Sequence, residues 1–257
     1  MARLERFAVV ESTQSVVRDW LGAGVPEVAV AVAGEQTAGR GRLGRSWQAP
    51  AGRALLLSAG FRPAGMVAGH AWRLGAIVAE AMLDAAEDVV GLPHSTLWLK
   101  WPNDLVSVDA DGRLRKVAGV LGETALDDAG RVATAVVGIG INGDWAADGF
   151  PPSQAGSMTS LRELSGGRPI DHEPLLDVFL ARLAPRYEAL LSGRFDVDGW
   201  SARQVCTGRI VEVAVGLELL EGMAVGVAAE SGSLRLASRN GVIREIGSGE
   251  VIRCRVV

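Results

Sequence analysis

The sequence predicts an α/β fold followed by a small all-β unit. Three observations carry this. Between residues 7 and 141, short β-rich runs are interspersed with helical segments. Beyond Trp200, four short apolar runs follow one another, separated by glycine-rich turns. The 257 residues, 48% hydrophobic and 22% charged, suffice for one large domain plus a small one.

The elements follow in order. Phe7–Glu11 reads as a short strand. Ser12 or Thr13 is placed to cap a helix over Gln14–Leu21, which Gly22-Ala23-Gly24 ends. Val28–Ala33 is apolar and β-branched, the signature of a buried strand, and Ala54–Phe61 reads as another. Val67–Asp88 sets Trp72, Ile77, Val78, Ala81 and Met82 at helical spacing and is the main amphipathic helix. Leu97–Trp101 is a strand that stops at Pro102. Val117–Glu123 and Arg131–Ile141 are strands joined by the turn Asp127-Asp128-Ala129-Gly130. Gly149–Ser153 is a loop, and helices follow near Ser160–Leu164 and Pro174–Leu191. Arg209–Val215, Met223–Ala229, Ser233–Ala237 and Val242–Ile246 then form a small β-barrel, with turns at Glu230-Ser231-Gly232 and Arg239-Asn240-Gly241. The core begins near residue 7, which leaves no room for an N-terminal DNA-binding module.

Bulk properties narrow the class. No apolar run reaches transmembrane length, and the N-terminus does not lead into a signal-peptide core, so a cytoplasmic protein is expected. Cys206 and Cys254 fit a reducing compartment. The three histidines are scattered and no C-x-x-C occurs, so no structural zinc site is expected. A net charge of −4 argues against a general polyanion binder. Of 26 basic residues only Lys100 and Lys116 are lysine. Lysine is a compact charge whose pKa shifts, a property arginine does not share.

Glu35–Gly60 reads EQTAGRGRLGRSWQAPAGRALLLSAG and contains G-x-G-x-x-G at Gly39–Gly44. A dinucleotide fold requires a helix after such glycines. Here Pro50, Gly52 and a strand follow. A second match, Gly138–Gly143, runs into Asp144-Trp145 and a proline loop, and no P-loop is present. The physical reading is therefore a glycine loop whose amides approach a ligand while Arg40, Arg42 and Arg45 supply forked donors to phosphate oxygens. Three like charges so close predict a loop that is mobile alone and orders over an anion, with Trp47 as an apolar lid. The bland alternatives are a solvated basic loop or a flexible RNA-binding segment. The low aromatic content and negative balance argue against RNA.

A second constellation spans Leu97–Thr124. Lys100 ends a strand, Pro102 forces an extended turn, and Asn103-Asp104 form a polar tip. The chain then returns through a hairpin-like loop to Lys116. This places Asp104 and Lys116 at the same end of two neighbouring strands. Such a pair is either structural or chemical. As chemistry, the lysine offsets phosphate charge and the carboxylate holds a metal or accepts a proton.

Five motifs occur in this order: Glu11-Ser12-Thr13-Gln14, Gln36–Trp47, Lys100-Trp101-Pro102-Asn103-Asp104, Lys116-Val117-Ala118-Gly119 and Gly138-Ile139-Gly140-Ile141-Asn142. Together they resemble the biotin–protein ligases (biotin–[acetyl-CoA-carboxylase] ligases), from about residue 7 to the end of the chain. The resemblance is to the monofunctional type without an N-terminal DNA-binding domain. It implies an α/β, mixed-sheet catalytic domain of the biotin/lipoate ligase type over residues 1–203 and an SH3-like C-terminal β-barrel over 204–257. It also implies a two-step reaction. Biotin and ATP give biotinyl-5′-AMP and pyrophosphate, with Mg²⁺ expected. A lysine of a biotin carboxyl carrier protein domain then takes the biotin and AMP leaves.

The resemblance further implies site residues. Ser12, Thr13, Gln14, Gln36, Gly39, Arg40, Gly41, Arg42, Trp47, Lys116 and Gly119 fall to biotin. Arg40, Arg42, Arg45, Lys100, Asn103, Lys116 and Asn142 fall to ATP. Lys116, Arg40 and Asp104 are the catalytic set. Gln14 departs from the asparagine usual after Ser-Thr, so it either shifts the ring contact or points to solvent. Lys100 is read either as a direct participant or as a support for the loop. Neither DNA nor a membrane is expected as partner. Some relatives pair into homodimers through sheet edges, and the sequence leaves this open. Lipoate and octanoyl ligases share the fold and compete as a reading, but an alkyl tail favours an apolar tunnel over the polar groups before this loop.

Overall fold

The computed structural model describes residues 1–254; Arg255, Val256 and Val257, the last of the expected C-terminal domain, lie outside the described residues. Seven strands form one mixed sheet: β1 (Arg3–Val10), β2 (Ala29–Gln36), β3 (Ala54–Phe61), β4 (Leu97–Lys100), β5 (Asp104–Val108), β6 (Leu114–Leu126) and β7 (Val132–Asn142). Their order is β1-β2-β3-β7-β6-β5-β4. Only β1 and β2 run parallel, joined through helix α1 (Thr13–Gly22); the other neighbours are antiparallel.

The two faces of this sheet differ because side chains alternate along each strand. On β3 and β7, Leu55, Leu57, Phe61, Val137, Ile139 and Ile141 point to one face and join the main core. Helices α2 (Trp72–Val90) and α4 (His172–Leu191) cover that face. The alternate positions carry little. Ser58 pairs with Gly138, Gly60 with Val136, and Leu56 with Gly140. Gly140 pairs in turn with Gly119, and Gly119 with Asp104. A shallow trough therefore runs across the middle of the sheet. Helix α1 closes one end of it. Its Val17 and Leu21 pack on Ala31 and Val136, close above Gly60.

Several sequence expectations shift. The first strand begins at Arg3, because the edge strand is held by its ladder to β2 and tolerates polar residues at its start. The second extends to Gln36, which carries that side chain to the helix end. The main helix starts at Trp72, after a 3₁₀ turn at Ala68–His70. The region read as a loop before Lys116 holds strand β5, whose short Leu105-Val106-Ser107-Val108 run gives little periodic signal.

Helices α3 (Leu161–Leu164) and α5 (Val197–Ala202) flank α4. A second, antiparallel sheet follows, made of β8 (Ile210–Val215), β9 (Glu218–Val227), β10 (Leu234–Ala237), β11 (Ile243–Ile246) and β12 (Glu250–Cys254). Its order is β11-β10-β9-β8-β12. Helix α5 and strand β12 are additions to the sequence reading. The two sheets share a core, with Val211, Val213, Ala224 and Leu234 in the same apolar cluster as Leu99 and Leu105. The backbone of Leu99 bonds to Arg203 and Val205 at 3.0 and 2.8 Å, and Trp101 Nε1 donates to the Gly232 carbonyl at 3.0 Å. The second sheet is thereby fixed beside the trough.

A Cβ on Gly60 would stand 2.6 Å from Val17 Cγ1. Val17 is β-branched and fully buried, so it cannot swing aside. Gly60→Ala is expected to lower stability by about 1–3 kcal/mol through overpacking, read as a fall in the urea midpoint at unchanged slope.

Candidate active site

One end of the trough is polar. Gln36 Oε1 accepts from the Thr13 backbone N–H at 2.8 Å and from the Thr13 hydroxyl at 3.1 Å. The Thr13 and Ser58 hydroxyls are 2.8 Å apart. Gln36 thus caps α1. Ser12 occupies the N-cap position but makes no side-chain capping bond, which corrects the capping role expected for it. Its side chain is buried and lines the cleft instead. Gln14 is also buried. Its Nε2 donates to the Leu121 carbonyl at 2.8 Å and its Cγ lies over Gly138, so it does not point to solvent.

The loop Gly39–Trp47 arches over the trough. Trp47 N–H donates to the Gly39 carbonyl at 2.9 Å and Gly41 N–H to the Arg45 carbonyl at 2.7 Å. A Cβ on Gly39 would lie 2.4 Å from the Trp47 carbonyl oxygen. Glycine at 39 therefore closes the loop, and Gly39 itself is absent from the cleft lining. The expected repulsion among the arginines does not govern the loop, because each guanidinium has its own acceptor. Arg40 lies 3.1 Å from Glu123. Arg42 donates to Asn103 Oδ1 at 3.4 Å and to the Gly249 carbonyl at 3.3 Å. Arg45 donates to Glu250 Oε1 at 3.1 Å. Arg42 is the most enclosed of the three, and burial holds its pKa below the ordinary value.

Trp47 packs on the glycines of the floor. Cβ atoms on Gly140 and Gly119 would stand 2.6 and 3.1 Å from its indole. Its Nε1 is buried and has no hydrogen-bond partner. The cleft holds about 110 Å³. Ligand cavities commonly run to about 300–1,000 Å³, so admitting a bicyclic ligand requires the Trp47 loop to lift.

Lys116 reaches the trough because β6 carries a bulge. Leu105 pairs with Ala118 but Val106 pairs with Lys116, leaving Val117 as the extra residue. Val117 turns into the core at 0% exposure, and Lys116 emerges on the same face as Asp104 and Gly119. Lys116 Nζ lies 2.6 Å from Asp104 Oδ1 and 5.4 Å from the centre of the Trp47 ring. Lys100, across the β4–β5 hairpin from Asp104, lines the same cleft and has no ion-pair partner among the described residues. Asn103 Nδ2 donates to the Val120 carbonyl at 2.8 Å, which aims Oδ1 at Arg42.

The structure brings together Ser12, Thr13, Gln14, Gln36, Arg40, Gly41, Arg42, Arg45, Trp47, Lys100, Asn103, Asp104, Lys116 and Gly119. It does not bring in Asn142. That side chain is fully buried, donates to the Thr159 carbonyl at 2.9 Å, and lies outside the lining. Sequence reasoning missed Ser58, Glu123 and Glu250. Ser58 was detectable as the polar member of an otherwise apolar strand, Ala-Leu-Leu-Leu-Ser-Ala-Gly-Phe. Glu123 and Glu250 had no local signal, because only the tertiary fold brings them to the arginines.

The cleft therefore pairs a polar end with a cationic end. Its lining holds five basic side chains against two carboxylates, Asp104 and Glu250. Such a site can fix a neutral polar head at one end and neutralise phosphate at the other.

Comparison with known proteins gives the family. Residues 6–142 match the model of the Biotin/lipoate A/B protein ligase family, and residues 207–253 match that of the Biotin protein ligase C terminal domain. A Biotin–[acetyl-CoA-carboxylase] ligase of Paracoccus denitrificans is 33% identical over 222 residues, 84% of this chain and 87% of that protein. The Bifunctional ligase/repressor BirA of Bacillus spizizenii is 30% identical over 187 residues; the match takes in 73% of this chain but only 54% of that protein. The chain thus spans about half the length of several relatives it matches. Among solved structures, a biotin protein ligase from Aquifex aeolicus in complex with biotin and ATP superposes with a TM-score of 0.77 at 27% identity, covering 97% of each chain.

The capping geometry separates two substitutions. Gln36→Ala is expected to cost about 0.5–2 kcal/mol in chemical denaturation, because it strips the acceptor from the first turn of α1. Ser12→Ala should change stability by less than about 0.5 kcal/mol.

Proposed function

Because the chain belongs to the biotin/lipoate A/B protein ligase family, we propose that it is an ATP-dependent biotin–protein ligase. It activates biotin as biotinyl-5′-AMP and transfers it to a lysine of a biotin carboxyl carrier protein domain. The observation that supports this reading best is the arrangement of one continuous trough. Ser12, Thr13, Gln36 and Ser58 stand at its polar end, and Arg42, Arg45, Lys100 and Lys116 at the other. We take residues 1–203 as the catalytic domain and the part from 204 onward as the C-terminal domain. Among the described residues no helix is long and apolar enough to cross a membrane.

In this reading the bicyclic ring of biotin lies between Gln14 and Trp47, which cover Gly138 and Gly140, with its polar edge on the hydroxyls and amides beside α1. An unmatched buried polar group costs about 1–3 kcal/mol, so these partners select the ligand. The carboxylate tail then points along the trough towards Lys116. Attack of that carboxylate oxygen on the α-phosphorus of ATP forms the acyl phosphate bond and breaks the bond to pyrophosphate. Negative charge grows on the phosphorus oxygens, where Lys116 and Arg42 stand to receive it. Asp104 holds the Lys116 ammonium in place at 2.6 Å. It is a positioning carboxylate in this scheme.

Magnesium enters with the triphosphate as part of the nucleotide substrate. Asp104 is the one carboxylate offered to it, which suits an ion that keeps most of its oxygens from phosphate and water. Trp47 closes over the product and keeps water from the anhydride. In the second step a lysine amine of the carrier attacks the acyl carbon and AMP leaves.

Purified protein with ATP, Mg²⁺ and biotin is expected to exchange labelled pyrophosphate into ATP, whereas lipoate and octanoate should not support exchange. Exchange with lipoate or octanoate alone would move the assignment to the sister activity, and exchange with none of the acids would reject the enzyme. Lys116→Ala should lower the exchange kcat about 10²–10³-fold with biotin affinity nearly unchanged. Arg42→Ala should raise the ATP KM and let biotinyl-AMP escape, read as non-specific labelling of bystander lysines; tight retention of the adenylate would count against a closing role.

A further inference from the structure

The C-terminal sheet contributes a single residue to the cleft lining, Glu250. It opens β12 directly after Gly249, where a Cβ would stand 2.7 Å from the Ala214 carbonyl oxygen. That close approach fixes the start of the strand and with it the direction of Glu250. Its carboxylate binds Arg45 at 3.1 Å, and the adjoining Gly249 carbonyl accepts from Arg42 at 3.3 Å. The other carboxylate of the lining, Asp104, is already committed to Lys116. Glu250 is therefore the one anion in the cleft that faces Arg45. The fields of Lys100 and Lys116 also act on it, after Arg45 itself, and together they hold its carboxyl below the usual range.

We propose that Glu250 is a positioning residue that holds Arg45 at the cleft mouth and competes with a polyphosphate for that guanidinium. The proposal rests on the ligase reading above. Arg45 has two acceptors of like chemistry, a built-in carboxylate and the β- and γ-phosphates of the nucleotide. The pair is open to solvent, with Arg45 61% and Glu250 33% exposed. Exposed pairs of this kind are weak, so a polyphosphate displaces the carboxylate readily. Once the α–β bond has broken, Glu250 retakes Arg45 and lowers the affinity for the departing pyrophosphate. Arg40 has a comparable partner in Glu123, but Glu123 stands outside the lining and does not compete for the same volume.

The test uses the full chain and inorganic pyrophosphate as the probe. Glu250→Gln is expected to tighten pyrophosphate binding in calorimetry by about two- to fivefold, the scale of an exposed ion pair, and to lower the ATP KM in step. The biotin KM should stay at the wild-type value, which a general loosening of the loop would not allow. In an Arg45→Met background the same substitution should have no effect. Unchanged or weaker pyrophosphate binding by Glu250→Gln, or a rise in biotin KM, would overturn the proposal. Wild-type exchange with biotin tests the ligase reading independently, since the ratio of pyrophosphate affinities needs no adenylation.

Discussion

Everything in the site depends on one strip of the sheet having almost no side chains. One face of β3, β7 and β6 carries Ser58, Gly60, Gly138, Gly140 and Gly119, with Leu56 and Val136 at its margins, whereas the other face carries Leu, Phe, Val and Ile. The alternation of a pleated sheet turns this sequence pattern into a packed face and a bare one. The bare face lets α1 sit within van der Waals contact at Gly60 and lets Trp47 pack on Gly119 and Gly140. A single methyl group at Gly140 would stand 2.6 Å from the indole. The glycines matter here chiefly for their missing Cβ, since none of Gly60, Gly119, Gly138 and Gly140 takes a positive φ.

Over this floor the protein sets charge by committing most of it in advance. Five basic side chains in a small cleft would repel one another, yet each arginine is held by an acceptor on a different element: β6 for Arg40, the β4–β5 turn and the residue before β12 for Arg42, and β12 for Arg45. Lys116 has Asp104. Lys100 alone of the five has neither a side-chain hydrogen bond nor an ion pair among the described residues, which makes it the basic group most open to an incoming anion. The arrangement distributes the loop's anchors between the two sheets. A change in the packing of the second sheet therefore reaches the arginine loop through Gly249 and Glu250.

How much of this was legible in the sequence follows from where each signal lies. The strand Ala54–Phe61 was readable to the residue because a continuous apolar run between turn residues marks a buried strand. That Asp104 and Lys116 lie close was legible from a proline turn and a return segment, but the two strands read as neighbours are separated by β5, and Asp104 opens β5 opposite Gly119. What stayed hidden was the bulge at Val117. The motif Lys-Val-Ala-Gly gives no sign that Lys116 must skip a register to face the trough. Glu250 was illegible for another reason. Its partner is 205 residues away in sequence, and no local pattern encodes such a contact. Ser12 was read to the right N-cap position, but the side-chain bond to the first turn comes from Gln36 on a neighbouring strand.

The same geometry bears on which acid the cleft takes. Four hydrogen-bonding side chains, Ser12, Thr13, Gln36 and Ser58, are gathered at one end, and none is spent wholly on the fold. Thr13, Gln36 and Ser58 form a chain of contacts at 2.8 to 3.1 Å that sets their directions before any ligand arrives. A preset polar cluster rewards a head group with matching donors and acceptors and penalises one without them, because the partners left over remain buried and unmatched. An alkyl or dithiolane tail would leave all four idle. A ureido ring would use them while its apolar sulfur ring rests against Trp47. Discrimination of this kind comes from the cost imposed on the wrong ligand as much as from contacts with the right one. In the proposed reaction this puts specificity at the α1 end of the trough and leaves the arginine end to handle phosphate, whichever acid is activated.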